Sequence, residues 1–118
     1  MQRPGRLNLD CFQGATFEYS LTWTAAGVPV DLTGYDARMQ VRESFNSKNP
    51  LVSLSVGSGI ALGGTAGTID LSLDAETTEA FSVIANAQFI YDLELVSSSG
   101  NVTRLIEGSF FVFPEVTR

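Results

Sequence analysis

The sequence contains no histidine and only one cysteine, Cys11. Without histidine the chain lacks the commonest general base and the commonest ligand of transition metals. A single cysteine excludes an internal disulfide and a metal site built from several thiolates. The one lysine, Lys48, lies in a polar segment, so no nucleophile is placed beside a base. We therefore expect neither an enzyme nor a bound cofactor.

Positive charge is also scarce, because seven Lys and Arg residues face 13 Asp and Glu residues and leave a net charge of −6. Nucleic acid is excluded as a partner, since binding to phosphates needs a basic surface. No apolar run is long enough to span a membrane, and residues 1–6 contain no apolar signal segment. We expect no membrane partner and a cytoplasm-like compartment.

Alternation of apolar and polar residues is the main structural signal. It marks strands at residues 7–11, 15–24, 36–43 and 68–73, and a long hairpin that starts at Tyr91 and turns at residues 97–101. Residues 74–81 give the one helical signal, with Asp74 as its N-cap. These patterns predict an all-β fold, an antiparallel β-sandwich of about seven to nine strands, immunoglobulin-like or jelly-roll-like, with one short connecting helix. Residues 1–6 are predicted to form an arm, and residues 7–118 a single domain.

Carboxylates are the remaining candidates for chemistry. Asp92 and Glu94 share one strand face, and we expect them to pair with Arg38 and Arg42 across strands rather than to act as catalysts. A calcium site is conceivable at the acids near the predicted helix, but their spacing matches no calcium loop, and a helix start explains them. These acids are Asp70, Asp74, Glu76 and Glu79.

The C-terminal strand is anomalous because both of its faces become apolar between Phe110 and Phe113. In a two-layer sandwich one face of each strand meets water. Either loops or the helix cover the second face, or a partner subunit does. The candidate contact residues belong to this strand, to the N-terminal arm and to a proline-containing edge: Phe110, Phe111, Phe113, Arg3, Arg6, Val28 and Val30.

Two segments carry a resemblance, VDLTGYDARMQVR at residues 30–42 and YDLELVSSSGNVTRLIEGSFFVFPEVTR at residues 91–118. They resemble a family of small structural proteins of tailed bacteriophages and prophages, similar in type to the N-terminal domain of siphophage upper baseplate proteins. The resemblance implies a virion component of the tail, baseplate or neck, assembled in the bacterial host cytoplasm. Its partners would be other virion proteins and copies of itself.

Two alternatives remain open from the sequence. A capsid decoration or collar protein would share the same virion context. A carbohydrate-binding module would instead need exposed aromatic platforms, for which Trp23, Tyr19 and Tyr35 are the only candidates. Trp23 and Tyr19 lie on a predicted core stripe, which disfavours that function.

Overall fold

The computed structural model describes residues 4–81, 83 and 85–117. Strands dominate these residues, with one α-helix and one turn of 3-10 helix at Gly64–Ala66. In chain order the elements are β1 (Gly5–Arg6), β2 (Leu9–Phe12), β3 (Phe17–Thr22), β4 (Thr24–Ala25), β5 (Val28–Pro29), β6 (Asp36–Arg42), β7 (Val52–Val56), β8 (Gly59–Leu62), β9 (Thr68–Leu73), α1 (Ala75–Glu79), β10 (Ala87–Val96) and β11 (Val102–Phe113).

Nine strands form one curled sheet in the order β1-β11-β10-β6-β7-β8-β9-β3, with β2 also paired to β11. β4 and β5 form a separate small hairpin. Phe17 on β3 and Phe110 on β11 lie far apart in the strand order, yet their ring centroids are 5.5 Å apart. The ends of the sheet therefore face each other across a common core. The predicted all-β sandwich is confirmed.

The strand order is immunoglobulin-like, although β7 and β8 pair in parallel and make the sheet continuous. Where the sheet folds over, we call β3, β9 and β8 one layer and β11, β10, β6 and β7 the other. In chain order these strands correspond to B, E and D of an immunoglobulin sandwich and to G, F, C and C′ of the facing sheet. β1, at the end of the predicted arm, and β2, which follows it, extend the second layer by pairing in parallel with β11. In the structure we therefore use the word arm for residues 5–12.

Alternation along each strand builds the core. In β6, Ala37, Met39 and Val41 are buried while the residues between them face outward, as predicted. The predicted strand at residues 15–24 is shorter in the structure, and of its apolar stripe only Phe17 is buried. Trp23 lies just beyond it and packs edge-on against Tyr35.

Helix α1 closes one end of the sandwich. Asp74 is its N-cap and accepts a hydrogen bond from the Thr77 backbone N–H at 2.8 Å, as the sequence predicted. The helix has five residues and ends earlier than the predicted residue 81. Thr78 is fully buried, and its hydroxyl accepts from the Gly14 N–H at 3.0 Å and donates to the Ala15 carbonyl at 2.9 Å. These bonds fix the crossover between β2 and β3.

The hairpin of β10 and β11 is the centre of the larger layer, because β11 also holds the arm and β10 also holds β6. Its loop has Gly100 at a φ of 90°, and the Ser97 N–H donates to the Asn101 carbonyl. Leu105 is the extra residue of a β-bulge between the pairs Leu93–Ile106 and Glu94–Arg104. The hairpin predicted from the sequence is therefore present.

Candidate functional site: the outer face of the β11–β10–β6 layer

Strand register arranges the outward side chains of this layer in rows. One row runs across β1, β11, β10, β6 and β7, and the next crosses β11, β10, β6 and β7. The first row holds Arg6, Glu107, Asp92 and Gln40, and the second holds Arg104, Glu94 and Arg38. Charges alternate in sign across the second row, where opposite-charge neighbours contribute modestly to sheet stability. In the first row Glu107 lies opposite Asp92, a pair of like charge.

The ion pairs match the sequence prediction in part. Arg38 Nε donates to Glu94 Oε1 at 2.8 Å, as predicted. The predicted pairing of Arg42 with these carboxylates is wrong, because the register places Arg42 opposite Ile90. Asp92 instead lies 3.5 Å from Arg104. Burial raises the pKa of the Asp92 carboxyl, and the Arg104 charge counteracts part of that effect.

Glu107 joins the arm to this network. Its carboxylate lies 3.1 Å from the Arg6 guanidinium and 3.7 Å from that of Arg104. Arg6, predicted as a partner contact, therefore pairs within its own chain, although its side chain remains 72% exposed. The arrangement is a set of paired surface charges, and each such pair contributes about 0–1 kcal/mol.

The outer faces of the two layers differ in charge. In the β11 layer, four arginines lie among five acidic side chains, Asp10, Asp36, Asp92, Glu94 and Glu107. On the described part of β3, β8 and β9, the charged side chains are Glu18 and Asp70, and α1 adds Glu76 and Glu79. One layer therefore carries a nearly balanced mixture of both charges, whereas the other layer and the helix at its end carry only acidic charges.

A depression of about 280 Å³ lies within the arginine-bearing face. Arg42 forms one side, where Nη1 donates to the Ser47 carbonyl at 2.9 Å and Nη2 donates to Gln40 Oε1 at 2.7 Å. Ile90 and Phe45 provide apolar lining, and Phe45 is 91% exposed. The remaining lining residues are Arg6, Gln40, Tyr91, Asp92, Arg104, Glu107 and Gly108. Sequence patterns gave no sign of this depression, because loop residue Phe45 reaches it only through the fold.

Three phenylalanines mark the other end of the same face, and we call them the aromatic patch: Phe12, Phe111 and Phe113. Phe12 and Phe113 are register partners on β2 and β11, and their rings stack with centroids 5.2 Å apart. Phe12 is 58% exposed, and the other two are half-buried. The sequence indicated Phe111 and Phe113, but it did not indicate Phe12, whose neighbour across the sheet is 101 positions away.

The remaining predicted contact residues lie in different parts of the structure and do not form one surface. Phe110 is fully buried, so it is a core residue rather than a contact residue. Val28 is 63% exposed in the β4–β5 hairpin, away from the curled sheet. Val30 is half-buried and donates its N–H to the Trp23 carbonyl at 2.8 Å, which holds it in the fold. Arg3 lies outside the described residues.

Metal binding, a reactive cysteine and a membrane-spanning helix each find little support in the described part of the chain. No group of three or more Cys, Asp or Glu side chains is close enough there to hold a metal ion. Asp74 is engaged in capping, and Asp70 faces outward on β9. Burial raises the pKa of the Cys11 thiol to about 11, which makes it a poor nucleophile at neutral pH. Among the described residues no helix is long and apolar enough to cross a bilayer.

The aromatic residues needed for a carbohydrate platform are not laid flat on the surface. Trp23 and Tyr35 meet at 88° with their centroids 6.0 Å apart, and both are half-buried. Tyr19 packs against the core from β3. Sugar-stacking sites need an accessible ring face, and the edge-on contact between these two half-buried rings disfavours such a platform at Trp23 and Tyr35.

No family model and no curated protein sequence matches the chain. Similar solved structures include the extracellular domain of the voltage-gated sodium channel β4 subunit, described as a parallel homodimer with a role in cell–cell adhesion. It is 12% identical, covers 98% of each chain and has a TM-score of 0.40. A second structure, from work on cell-adhesive interactions of these β subunits, is 12% identical over 93% of this chain and 92% of that chain, with a TM-score of 0.39.

These comparisons contradict the resemblance to tailed-bacteriophage structural proteins. No family model supports it, and the similar structures are extracellular domains of a channel subunit. The expected roles in a tail, baseplate, neck or capsid, and the expected virion location, are therefore corrected. The quoted segments are alternating strands joined by Asp, Gly and Ser turns, and unrelated β-sandwiches use the same pattern. At this level of similarity, the adhesive properties of the channel subunit say nothing about this chain.

Proposed function

We propose that this chain is a non-catalytic interaction domain that binds a second copy of itself through the aromatic patch. The observation that carries the proposal is the stacked pair of Phe12 and Phe113, in which Phe12 is 58% exposed on the edge strand β2 and Phe113 is half-buried on the neighbouring β11. Large aromatic side chains contribute most of the energy of protein interfaces when they become buried. An exposed aromatic cluster is therefore a favourable place for association.

The edge position strengthens the proposal. β2 pairs with β11 on one side, and no further strand covers its other edge within residues 4–81, 83 and 85–117. Natural sheets usually protect such edges with charge, proline or a covering segment. On β2 only Asp10 is charged, and it lies beside Phe12 and opposite Phe111. A partner that covers this edge would bury the patch together with it.

Charge favours a second copy as the partner. A molecule with a net charge of −6 repels its own copies, except where positive and negative charges are balanced. That balance exists on the face with the aromatic patch, whereas the opposite layer is acidic. A twofold arrangement joins like patches and keeps both acidic layers in solvent. The lack of histidine and the buried Cys11 thiol support a non-catalytic role.

Sedimentation velocity over about 1 to 500 µM protein tests the proposal, because that range covers weak and moderate dimers. The mass of the wild-type protein should rise with concentration. Phe12→Ser should raise the dimer dissociation constant about tenfold or more, as expected for an interface anchor. Val28→Ser is the matched control, since Val28 is similarly exposed but lies in the separate hairpin.

Two results would contradict self-association through this patch. One is a wild-type protein that stays monomeric over the whole range. The other is a control variant, Val28→Ser, that weakens the dimer as strongly as Phe12→Ser. Circular dichroism and thermal melting of each variant would show that a lost dimer is not a lost fold.

A further inference from the structure

We propose that the depression beside Arg42 is a binding site for a small organic anion, a carboxylate carried on a flat apolar group. This site is independent of the proposed self-association. Arg42 would bind the carboxylate, and Phe45 with Ile90 would contact the apolar group. Burial, charge balance and shape each support this assignment.

Arg42 is held in place but its charge is not neutralised. Its two terminal nitrogens donate to the Ser47 carbonyl and to the Gln40 amide oxygen, both neutral acceptors. No carboxylate lies within ion-pair distance of Arg42 in the described structure, although Arg6, Arg38 and Arg104 all have one. The side chain is also half-buried. A fixed guanidinium of this kind is well suited to bind a carboxylate.

The other charged residues around the depression do not cancel this positive charge. Arg6 and Arg104 pair with Asp92 and Glu107, so those two arginines and two acids compensate one another. The Arg42 charge therefore remains as a local excess on an otherwise acidic protein. The residual charge favours a ligand with a single negative charge over a neutral or multiply charged one.

The apolar lining and the size of the depression define the rest of the ligand. Phe45 is 91% exposed, although a phenylalanine ring gains most when it is covered. Ile90 lies opposite Arg42 in the sheet, so an apolar surface adjoins the guanidinium. Gly108 contributes only backbone atoms to the lining. A volume of about 280 Å³ is at the lower end of the range for small-molecule sites.

Benzoate is the test ligand, with acetate to remove the ring and benzamide to remove the charge. Titration is followed by ¹H–¹⁵N NMR, including the Arg Nε–H signals. Benzoate should bind with a dissociation constant of about 1 to 10 mM, as an unoptimised fragment would. Acetate and benzamide should each bind about tenfold or more weakly, since each lacks one half of the recognised ligand. N-acetylphenylalanine, compared with its amide, shows whether a peptide C-terminus is accepted.

Two variants separate a built site from general attraction to positive charge. Arg42→Gln should weaken benzoate about tenfold or more, and Phe45→Ser should weaken it about threefold or more. Arg38→Gln is the matched control, because Arg38 lies on the same face but does not line the depression. It should leave the dissociation constant unchanged. Melting temperatures close to that of the wild type show that each variant is folded.

The site is overturned if benzoate does not saturate by about 50 mM, well above a weak fragment constant. It is also overturned if benzamide binds as tightly, or if Arg38→Gln weakens benzoate as much as Arg42→Gln. Repeating the titration with Phe12→Ser separates the two proposals. Benzoate binding that survives in this variant supports the site whether or not the protein dimerises. Binding that is lost there overturns its independence from self-association.

Discussion

Gly108 on β11 lies so close to the backbone of Leu7 that no side chain fits between them. A methyl group at position 108 would overlap the Leu7 carbonyl oxygen and lie 2.8 Å from its carbonyl carbon. Both contact atoms are backbone, so they cannot rotate away. The arm passes over β11 at this point, between the short strands β1 and β2.

Gly108→Ala should therefore destabilise the protein by about 2 to 3 kcal/mol, as expected for overpacking against a rigid neighbour. Chemical denaturation monitored by tryptophan fluorescence measures the loss. Gly5→Ala is the control, because a methyl group there would meet its nearest atoms at 3.6 and 3.7 Å. Equal losses in the two variants would contradict the close contact at Leu7.

Tyr91 supports the same crossing from within the core. Its hydroxyl donates to the Leu7 carbonyl at 2.6 Å, and the ring is 4% exposed. Tyr91→Phe should cost about 1 to 3 kcal/mol, because the carbonyl then lacks its buried donor. Hydrogen exchange of the arm should also accelerate, since the bond ties residues 5–12 to the hairpin. Unchanged exchange in the arm would show that the bond does not hold it.

Stability should fall at alkaline pH because of Cys11. Burial raises the pKa of its thiol from 9.0 to about 11, so between these values the folded protein keeps a proton that the unfolded chain loses. The folded state binds more protons there, and the free energy of unfolding must decrease as pH rises. The contribution of the protonated Cys11 thiol to the free energy of unfolding is therefore complete below pH 9.0 and is lost as pH rises toward about 11.

Cys11→Ala tests this assignment by comparison of denaturation curves at pH 8 and at about pH 10.5, a value between the two thiol pKa values. The variant should lose less stability over this interval than the wild type. Burial also raises the pKa of Tyr91, so some alkaline loss should remain in Cys11→Ala and decrease further when Tyr91→Phe is added. If the free energy of unfolding decreased equally between the two pH values in the wild type, in Cys11→Ala and in the double variant, both assignments would be contradicted.

Local patterns were sufficient for much of the fold. The alternation in β6, the N-cap at Asp74 and the glycine turn of the hairpin each depend on residues close in sequence, and all three are present. The ion pair of Arg38 with Glu94 was also predicted, because both residues lie on the outward faces of strands that alternation alone identifies. The predicted pairing of Arg42 fails on spacing, because Arg38 and Arg42 are four residues apart whereas Asp92 and Glu94 are two apart. The register that joins Arg38 to Glu94 therefore places Arg42 opposite Ile90.

The candidate sites depend on contacts that no local pattern contains. Phe12 and Phe113 meet because the arm pairs in parallel with the last strand. Phe45 reaches the depression from the loop after β6. The apolar character of both faces of β11 could be seen in the sequence, but the difference between Phe110 and Phe111 could not, because the bulge at Leu105 shifts which residues face inward.

Gln13 is the residue that joins three chain segments at one end of the sandwich. Its Nε2 donates to the Phe81 carbonyl at 2.7 Å, and its Oε1 accepts from the Glu115 N–H at 3.0 Å. Its own backbone N–H donates to the Phe113 carbonyl at 2.9 Å. Gln13→Glu keeps the acceptor but replaces the donor with a charged oxygen that faces the Phe81 carbonyl.

Gln13→Glu should destabilise the protein by about 1 to 3 kcal/mol near pH 7, because a carbonyl loses its donor and faces negative charge. The same change at Gln88, whose Nε2 donates to the exposed Ser109 hydroxyl, should cost about 0.5 kcal/mol or less. A protonated carboxyl can donate again to the Phe81 carbonyl. The stability difference between Gln13→Glu and wild type should therefore shrink as pH falls toward about 4, where glutamate is protonated. Denaturation curves at several pH values measure it, and a difference independent of pH would show that the Phe81 bond is not the cause.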